Sequence, residues 1–208
     1  MMHFSDLKEG YYRFRGTEWQ QERERWSELA TGQSPKVMVI ACSDSRVDPA
    51  TIFGARPGEI FVVRNVANLV PPFEDDGGRH GVSAALEFAV TKLEVEEVLV
   101  LGHGACGGVN ACLTQSLANT KPGEGGFVAH WIDLLDDARE KVVAEHGTGP
   151  EGQKALEQEG VKVSLQNLMT FPFVKERVEA GKLKLHGAVF AIEDGRLRVL
   201  EGDTFENA

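Results

Sequence analysis

Two short runs of the sequence combine residues that can bind a metal ion. Cys42, Asp44 and Arg46 lie in ACSDSR, and His103 and Cys106 lie in GHGACGG. Two thiolates and one imidazole are a ligand set that favours zinc. Three protein ligands leave the fourth tetrahedral position for water, as in catalytic zinc sites, whereas structural sites usually close all four positions. The two runs therefore predict a catalytic zinc centre with an Asp and an Arg beside it.

The second run is rich in glycine, which favours a tight turn from a strand into a helix. This turn would place Cys106 at the start of the helix, where backbone N–H groups stabilise a thiolate. Cys112 follows more than one helical turn later, so we expect it to point away from the metal and to be a small buried residue.

Apolar runs precede both motifs. KVMVIA (36–41), EIFVVRNV (59–66) and EEVLVLGH (96–103) are continuous and rich in β-branched residues, which predicts strands buried on both faces of a parallel sheet. Helices are expected between the strands, a short one capped by Asp48 and a longer one from Val82 to Leu93.

Strands that alternate with helices imply a mainly parallel sheet whose functional loops gather at the carboxyl ends of the strands. Cys42 ends the first predicted strand and His103 ends the third. If these strands are neighbours, both side chains reach the same edge of the sheet, although they are far apart in sequence.

The remaining elements complete the predicted fold class, α/β with a mainly parallel central sheet flanked by helices. Residues 1–30 mix aromatic and charged side chains at helical spacing and predict a helical arm, packed on another subunit or on its own core. Two helical stretches follow the motifs, the second of them broken at Phe171–Pro172, and alternation around Asp194–Gly195 predicts a C-terminal hairpin. We expect one domain over residues 1–208.

Composition argues against several classes of partner. The formal net charge is −10, whereas nucleic-acid and anionic-membrane binding depend on clustered Lys and Arg. No apolar run approaches the roughly 20 residues that span a bilayer, and charges among the first twenty residues argue against a signal peptide. Three cysteines are typical of a reducing compartment rather than of a disulfide framework. These features predict a cytoplasmic protein.

CSDSR, RNVANLVPP and GHGACGG together resemble the β-class carbonic anhydrases, specifically their plant-type branch, over approximately residues 30–112. The resemblance implies Zn²⁺ bound by Cys42, His103 and Cys106, with Asp44 and Arg46 as catalytic residues. It also implies reversible hydration of carbon dioxide to bicarbonate and a proton by a zinc-bound hydroxide. In that family the catalytic cleft lies at a dimer interface built partly by N-terminal helices, so we expect a homodimer or a higher homo-oligomer.

The ligand set affects the expected pH dependence. Two thiolates cancel the formal charge of zinc, so its water should be less acidic than at a three-histidine site, and activity should rise toward alkaline pH. Asp44 can accept a hydrogen bond from the zinc-bound water, and Arg46 can hold Asp44 bidentately. Members with a non-catalytic bicarbonate site have a Trp where this chain has Val39, so we expect an open site. Asp44 would bind the metal only in a closed form.

The resemblance also implies several substrate-binding residues. Gln33 matches an active-site Gln, although it could be an ordinary loop residue. Phe61 and Val66 match apolar residues of the carbon dioxide cavity, although core packing would serve equally. Phe88 stands where the family often has Tyr and therefore lacks a hydroxyl, and Gly107 could offer a backbone N–H to a substrate oxygen.

Other readings remain open. A carbonyl sulfide or carbon disulfide hydrolase would use the same ligands, and a non-catalytic zinc scaffold would keep the fold. A redox role is weaker because the chain has no C-x-x-C pair. Arg64 and Asn65 are expected to make structural contacts. His80 could move protons, but a solvated loop histidine is the simpler interpretation.

Overall fold

The computed structural model describes residues 2–208, which form two compact units, one ending at Ser34 and one from Pro35 to Ala208. The first unit consists of three consecutive helices, α1 (Phe4–Gly16), α2 (Glu18–Gln21) and α3 (Arg23–Leu29). The helical arm expected over residues 1–30 is present, but it is interrupted twice, because Thr17 and Glu22 have non-helical backbone angles.

The second unit is built on one six-stranded sheet with the order β2-β1-β3-β4-β5-β6. Strands β2, β1, β3 and β4 are parallel, and β5 and β6 are antiparallel additions at one edge. The predicted fold class is confirmed. The strands are β1 (Val37–Cys42), β2 (Ile60–Asn65), β3 (Glu97–His103), β4 (Lys184–Phe190), β5 (Leu197–Glu201) and β6 (Thr204–Asn207).

In this second unit, all of which the structure describes, seven α-helices flank the sheet: α4 (Pro49–Phe53), α5 (Gly81–Glu87), α6 (Gly107–Thr114), α7 (Gly126–Ile132), α8 (Asp136–His146), α9 (Pro150–Leu168) and α10 (Pro172–Glu179). Asp48 caps α4 by accepting a hydrogen bond from the Thr51 amide at 2.9 Å, as its position predicted. The helix expected from Val82 to Leu93 is α5 followed by a wider π-helical turn over Phe88–Lys92.

The C-terminal hairpin expected around Asp194–Gly195 is formed by β4 and β5. The sequence analysis missed β6, which pairs with β5 through a second tight turn in which Gly202 has φ of 60°. Such a backbone conformation is easiest for glycine, so Gly202 was a usable signal. Within residues 2–208, no helix combines the length and hydropathy needed to cross a membrane.

Strand β1 is buried on both faces, which explains its uninterrupted apolar sequence. Met38 and Ile40 belong to one core cluster, whereas Val39 and Ala41 belong to a cluster on the opposite face. Helix α9 packs closely against the first of these faces. A Cβ added at Gly102 would lie 2.8 Å from Val161 Cγ2, so the absence of a side chain at this position lets the helix approach β3.

Candidate metal centre

The carboxyl ends of β1 and β3 bring the three candidate ligands together. The two strands are neighbours with Ala41 opposite Leu101, so Cys42 and His103 emerge at the same edge of the sheet. Cys106 follows His103 by one short loop and immediately precedes α6. The ligand atoms of Cys42, His103 and Cys106 all lie within 4.8 Å of one another. The juxtaposition expected from the sequence is therefore present.

The buried imidazole of His103 is prepared to bind a metal through one nitrogen. Its Nδ1 lies 2.9 Å from the carbonyl oxygen of Gly104. A carbonyl oxygen can only accept, so Nδ1 carries the proton and Nε2 offers its lone pair. His103 Nε2 is buried without a hydrogen-bond partner. Because buried polar atoms are rarely left unpaired, this nitrogen fits a metal ligand.

The two ligand thiols lie against each other. The pKa of Cys42 is lowered to about 4, first by the hydrogen bond from Cys106 and then, against the effect of burial, by His103. The pKa of Cys106 is raised because it faces the Cys42 thiolate and is buried. Backbone amides at the start of α6 act in the opposite direction on Cys106. A divalent cation between the two sulfurs would stabilise both as thiolates.

Asp44 is held in place by Arg46. The guanidinium donates from Nε to Asp44 Oδ1 at 2.9 Å and from Nη2 to Oδ2 at 2.6 Å, and Nη2 also donates to the carbonyl oxygen of Ala105 at 3.0 Å. The hydrogen bonds from the Arg46 side chain and backbone hold the pKa of Asp44 well below its usual range. Asp44 Oδ2 lies 4.0 Å from His103 Nε2, so an ionised carboxylate stands beside the ligand set.

Arg64 makes the structural contacts expected of it. Its guanidinium donates to the carbonyl oxygens of Cys42, Asp44 and Val47 at 2.8, 2.7 and 3.2 Å, respectively. These bonds tie the loop after β1 to β2. Asn65 bonds both the amide and the carbonyl of Leu69 and so shapes the turn after β2.

One contact with the ligand loop was missed by the sequence analysis. Glu157, in α9, is only 6% exposed, and its Oε1 accepts a hydrogen bond from the backbone N–H of Cys106 at 2.9 Å. Burial raises the pKa of Glu157. The available signal was an acidic residue among the mostly apolar residues of one helix face, between Leu156 and Val161. The chain separation of 51 residues gave no link to Cys106.

The expected substrate-binding residues fall into two groups. Gly107 begins α6, and Val66 lies nearby, since a Cβ on Gly108 would be 2.7 Å from Val66 Cγ1. Phe61 instead packs against Phe88, with ring centroids 5.9 Å apart, and lies opposite Met38 in the sheet. That position lies four residues before Cys42, the ligand end of β1, which is a distance of about 13 Å. Within one chain, therefore, this aromatic pair lies away from the ligand set. Gln33 belongs to the first unit.

His80 and Cys112 were the remaining residues with an expected role or environment. His80 immediately precedes α5, and its Nε2 lies 2.7 Å from Asp76 Oδ1. That hydrogen bond raises the pKa of His80. Cys112 is buried, as expected, and burial raises the pKa of its thiol to about 11.

The family model described as carbonic anhydrase matches residues 37–197. A curated relative, the mitochondrial β carbonic anhydrase 6 of Arabidopsis thaliana, is 37% identical over 191 residues, which cover 91% of this chain and 64% of the relative. This chain belongs to the β-class carbonic anhydrases. It spans less than two thirds of the length of that relative.

Solved structures of β-carbonic anhydrases share the fold. The β-carbonic anhydrase CcaA is 32% identical with a TM-score of 0.91, and the alignment covers 100% of both chains. A tetrameric β-carbonic anhydrase from Sordaria macrospora is 29% identical with a TM-score of 0.77, and the alignment covers 95% of this chain and 96% of the other.

Proposed function

We propose that this protein is a zinc-dependent carbonic anhydrase that interconverts carbon dioxide and bicarbonate with release or uptake of a proton. The observation that carries the proposal is the cluster of Cys42, His103 and Cys106 beside the Asp44–Arg46 pair, in a chain of this family. Bound zinc would lower the pKa of a water molecule, which could then attack carbon dioxide. Carbon dioxide and bicarbonate are the proposed small-molecule partners.

Asp44 acts as the hydrogen-bond acceptor that orients the attacking water. Its two oxygens both accept from Arg46, which fixes the carboxylate in one orientation and keeps it ionised. Because the oxygens are engaged in this way, Asp44 stays off the metal, which supports the open form expected from Val39. The closed form would require Asp44 to leave Arg46.

The substrate pocket is completed by a second copy of the chain. Val66 and Gly107 lie on the same chain as the ligand set. Phe61 and Phe88 are about 13 Å away along the sheet by the rise of a strand, yet Phe88 is 46% exposed. We assign these two residues to the site of a neighbouring subunit, and Gln33 stays a proposed substrate-binding residue on the strength of the family motif alone. Light scattering coupled to size-exclusion chromatography should give a dimer or a larger homo-oligomer, and a monomer at working concentration would contradict this assignment.

The thiol ligands determine the compartment that suits the protein. Both Cys42 and Cys106 must remain reduced to bind zinc as thiolates. All three cysteines are free in the structure. This requirement favours a reducing compartment, for which we propose the cytoplasm, and subcellular fractionation would test this location.

Stopped-flow hydration of carbon dioxide tests the function directly. The zinc-loaded protein should accelerate hydration, with a rate that rises toward alkaline pH because two thiolates offset the charge of zinc. Asp44→Asn should lower the rate, since an amide cannot replace the ionised acceptor. A sulfide-release assay with carbonyl sulfide and carbon disulfide runs beside it. Sulfide release without carbon dioxide hydration would show the hydrolase, and neither activity from fully zinc-loaded protein would show a non-catalytic scaffold.

A further inference from the structure

The loop between β3 and α6 holds an unusual backbone conformation. Ala105 has φ of 54°, in the left-handed region that residues other than glycine rarely adopt unless their surroundings hold them there. One support comes from Arg46, whose Nη2 donates to the Ala105 carbonyl oxygen at 3.0 Å. The other comes from α9, where Glu157 accepts from the Cys106 backbone N–H at 2.9 Å. Side chains from the loop after β1 and from α9 thus fix this loop.

Gln153 and Glu157 form a clamp on the Cys106 backbone. Gln153 Nε2 donates to the Cys106 carbonyl oxygen at 3.1 Å and to Glu157 Oε1 at 2.6 Å. Both polar groups of the Cys106 backbone are therefore held by one helix.

Close packing of α9 on the sheet places this clamp. Val161 is fully buried and would lie 2.8 Å from a Cβ at Gly102, the residue before His103. Glu157 precedes Val161 by one helical turn and shares its face of the helix. The packing of α9 beside His103 therefore also places the Glu157 carboxylate next to the loop that carries Cys106.

We infer that Glu157, held by Gln153, is a positioning residue that fixes the loop so that Cys106 Sγ faces the other two ligands. The inference rests on the proposed zinc site. A buried carboxylate is costly, and an apolar residue would pack as well at this position. The hydrogen bond from the Cys106 backbone explains why a carboxylate stands at this position. Mutation of residues that hydrogen-bond to metal ligands commonly lowers metal affinity by about 10–100-fold.

The test compares Glu157→Ala and Glu157→Gln with Glu159→Gln, a carboxyl-to-amide change on the same helix at a residue that pairs with Lys162 instead. One sample of each protein is loaded with zinc, and the rate of zinc release to a chelator is measured. A second sample is loaded with Co²⁺, and its thiolate-to-cobalt charge-transfer and d–d absorption bands are recorded. Glu157→Ala should release zinc about 10–100-fold faster and show shifted cobalt bands. Glu157→Gln should stay near the parent, because its amide oxygen still accepts from Cys106, and Glu159→Gln should match the parent.

The possible failures are distinguishable. A parent protein that binds no zinc would overturn both the proposed site and this inference. A parent that binds zinc, together with a folded Glu157→Ala variant whose cobalt spectrum and zinc release match it, would overturn the positioning role alone. If circular dichroism shows that Glu157→Ala does not fold, Gln153→Ala decides the matter: faster zinc release supports the clamp, and parent-like release overturns it.

Discussion

Replacing Arg64 by Met should loosen the loop that carries Cys42 and Asp44. The guanidinium donates to three carbonyl oxygens of this loop, at 2.8, 2.7 and 3.2 Å. Met keeps much of the apolar length of the side chain but removes every donor. The loop would then lose the hydrogen bonds that connect it to β2.

The size of the effect follows from the number of bonds and their exposure. A hydrogen bond with a charged partner contributes about 1.5–3 kcal/mol, and loss of the donor leaves each carbonyl to find another partner. The Arg64 side chain is 29% exposed, so water can replace part of the loss. At about 1 kcal/mol per bond, Arg64→Met should lower the free energy of unfolding by about 3 kcal/mol. For a chain of this size that corresponds to roughly 6–12 °C in melting temperature.

Urea unfolding of the metal-free and zinc-loaded proteins measures this change, with Arg56→Met as the matched control. Arg56 is 58% exposed and pairs with Glu59 at the surface, so its loss should cost about 1 kcal/mol or less. The reasoning would be refuted if Arg64→Met were no more destabilising than Arg56→Met.

Three further outcomes are expected. Gly102→Ala should lower the free energy of unfolding by about 1–3 kcal/mol, because the added Cβ would overpack against Val161. Adding Val161→Ala should restore much of that loss. Additive losses of the two substitutions in denaturant unfolding would contradict the contact between position 102 and Val161. The pKa of His80 is raised, so the stability that its ion pair contributes is complete below the unfolded pKa of 6.5 and is lost as pH rises through the folded pKa. An NMR titration of His80 should therefore give a midpoint above 6.5, and Asp76→Asn should lower that midpoint. A midpoint at or below 6.5 in the parent protein would count against the ion pair. Zinc should protect the two ligand cysteines from a thiol reagent until a chelator is added, whereas equal labelling with and without zinc would place the metal elsewhere.

The strands and the ligand trio could be predicted because local patterns encode them. The apolar run before Cys42 requires burial on both faces, and the one before His103 is nearly as apolar, so both motifs were expected at the same edge of a parallel sheet. Only the strand order, which makes β1 and β3 neighbours, had to come from the structure.

Features that depend on packing between distant segments were not predictable from those patterns. Glu157 reaches Cys106 only because α9 settles against Gly102, and this contact depends on the tertiary arrangement of helix and sheet. The position of the Phe61–Phe88 pair likewise depends on sheet register, which places it opposite Met38 and away from the ligand end of the strand. Matching single residues to a family motif does not show how far each residue lies from the metal ligands within one chain.

The most direct test of the central claim is a zinc titration of the metal-free protein, with carbon dioxide hydration measured at each addition. We expect the rate to rise in proportion to bound zinc and to stop rising at one ion per chain. Cys106→Ala should show neither tight zinc binding nor this rise in rate. Hydration that does not follow bound zinc, or that persists in Cys106→Ala, would contradict the assignment of Cys42, His103 and Cys106 as the catalytic metal site.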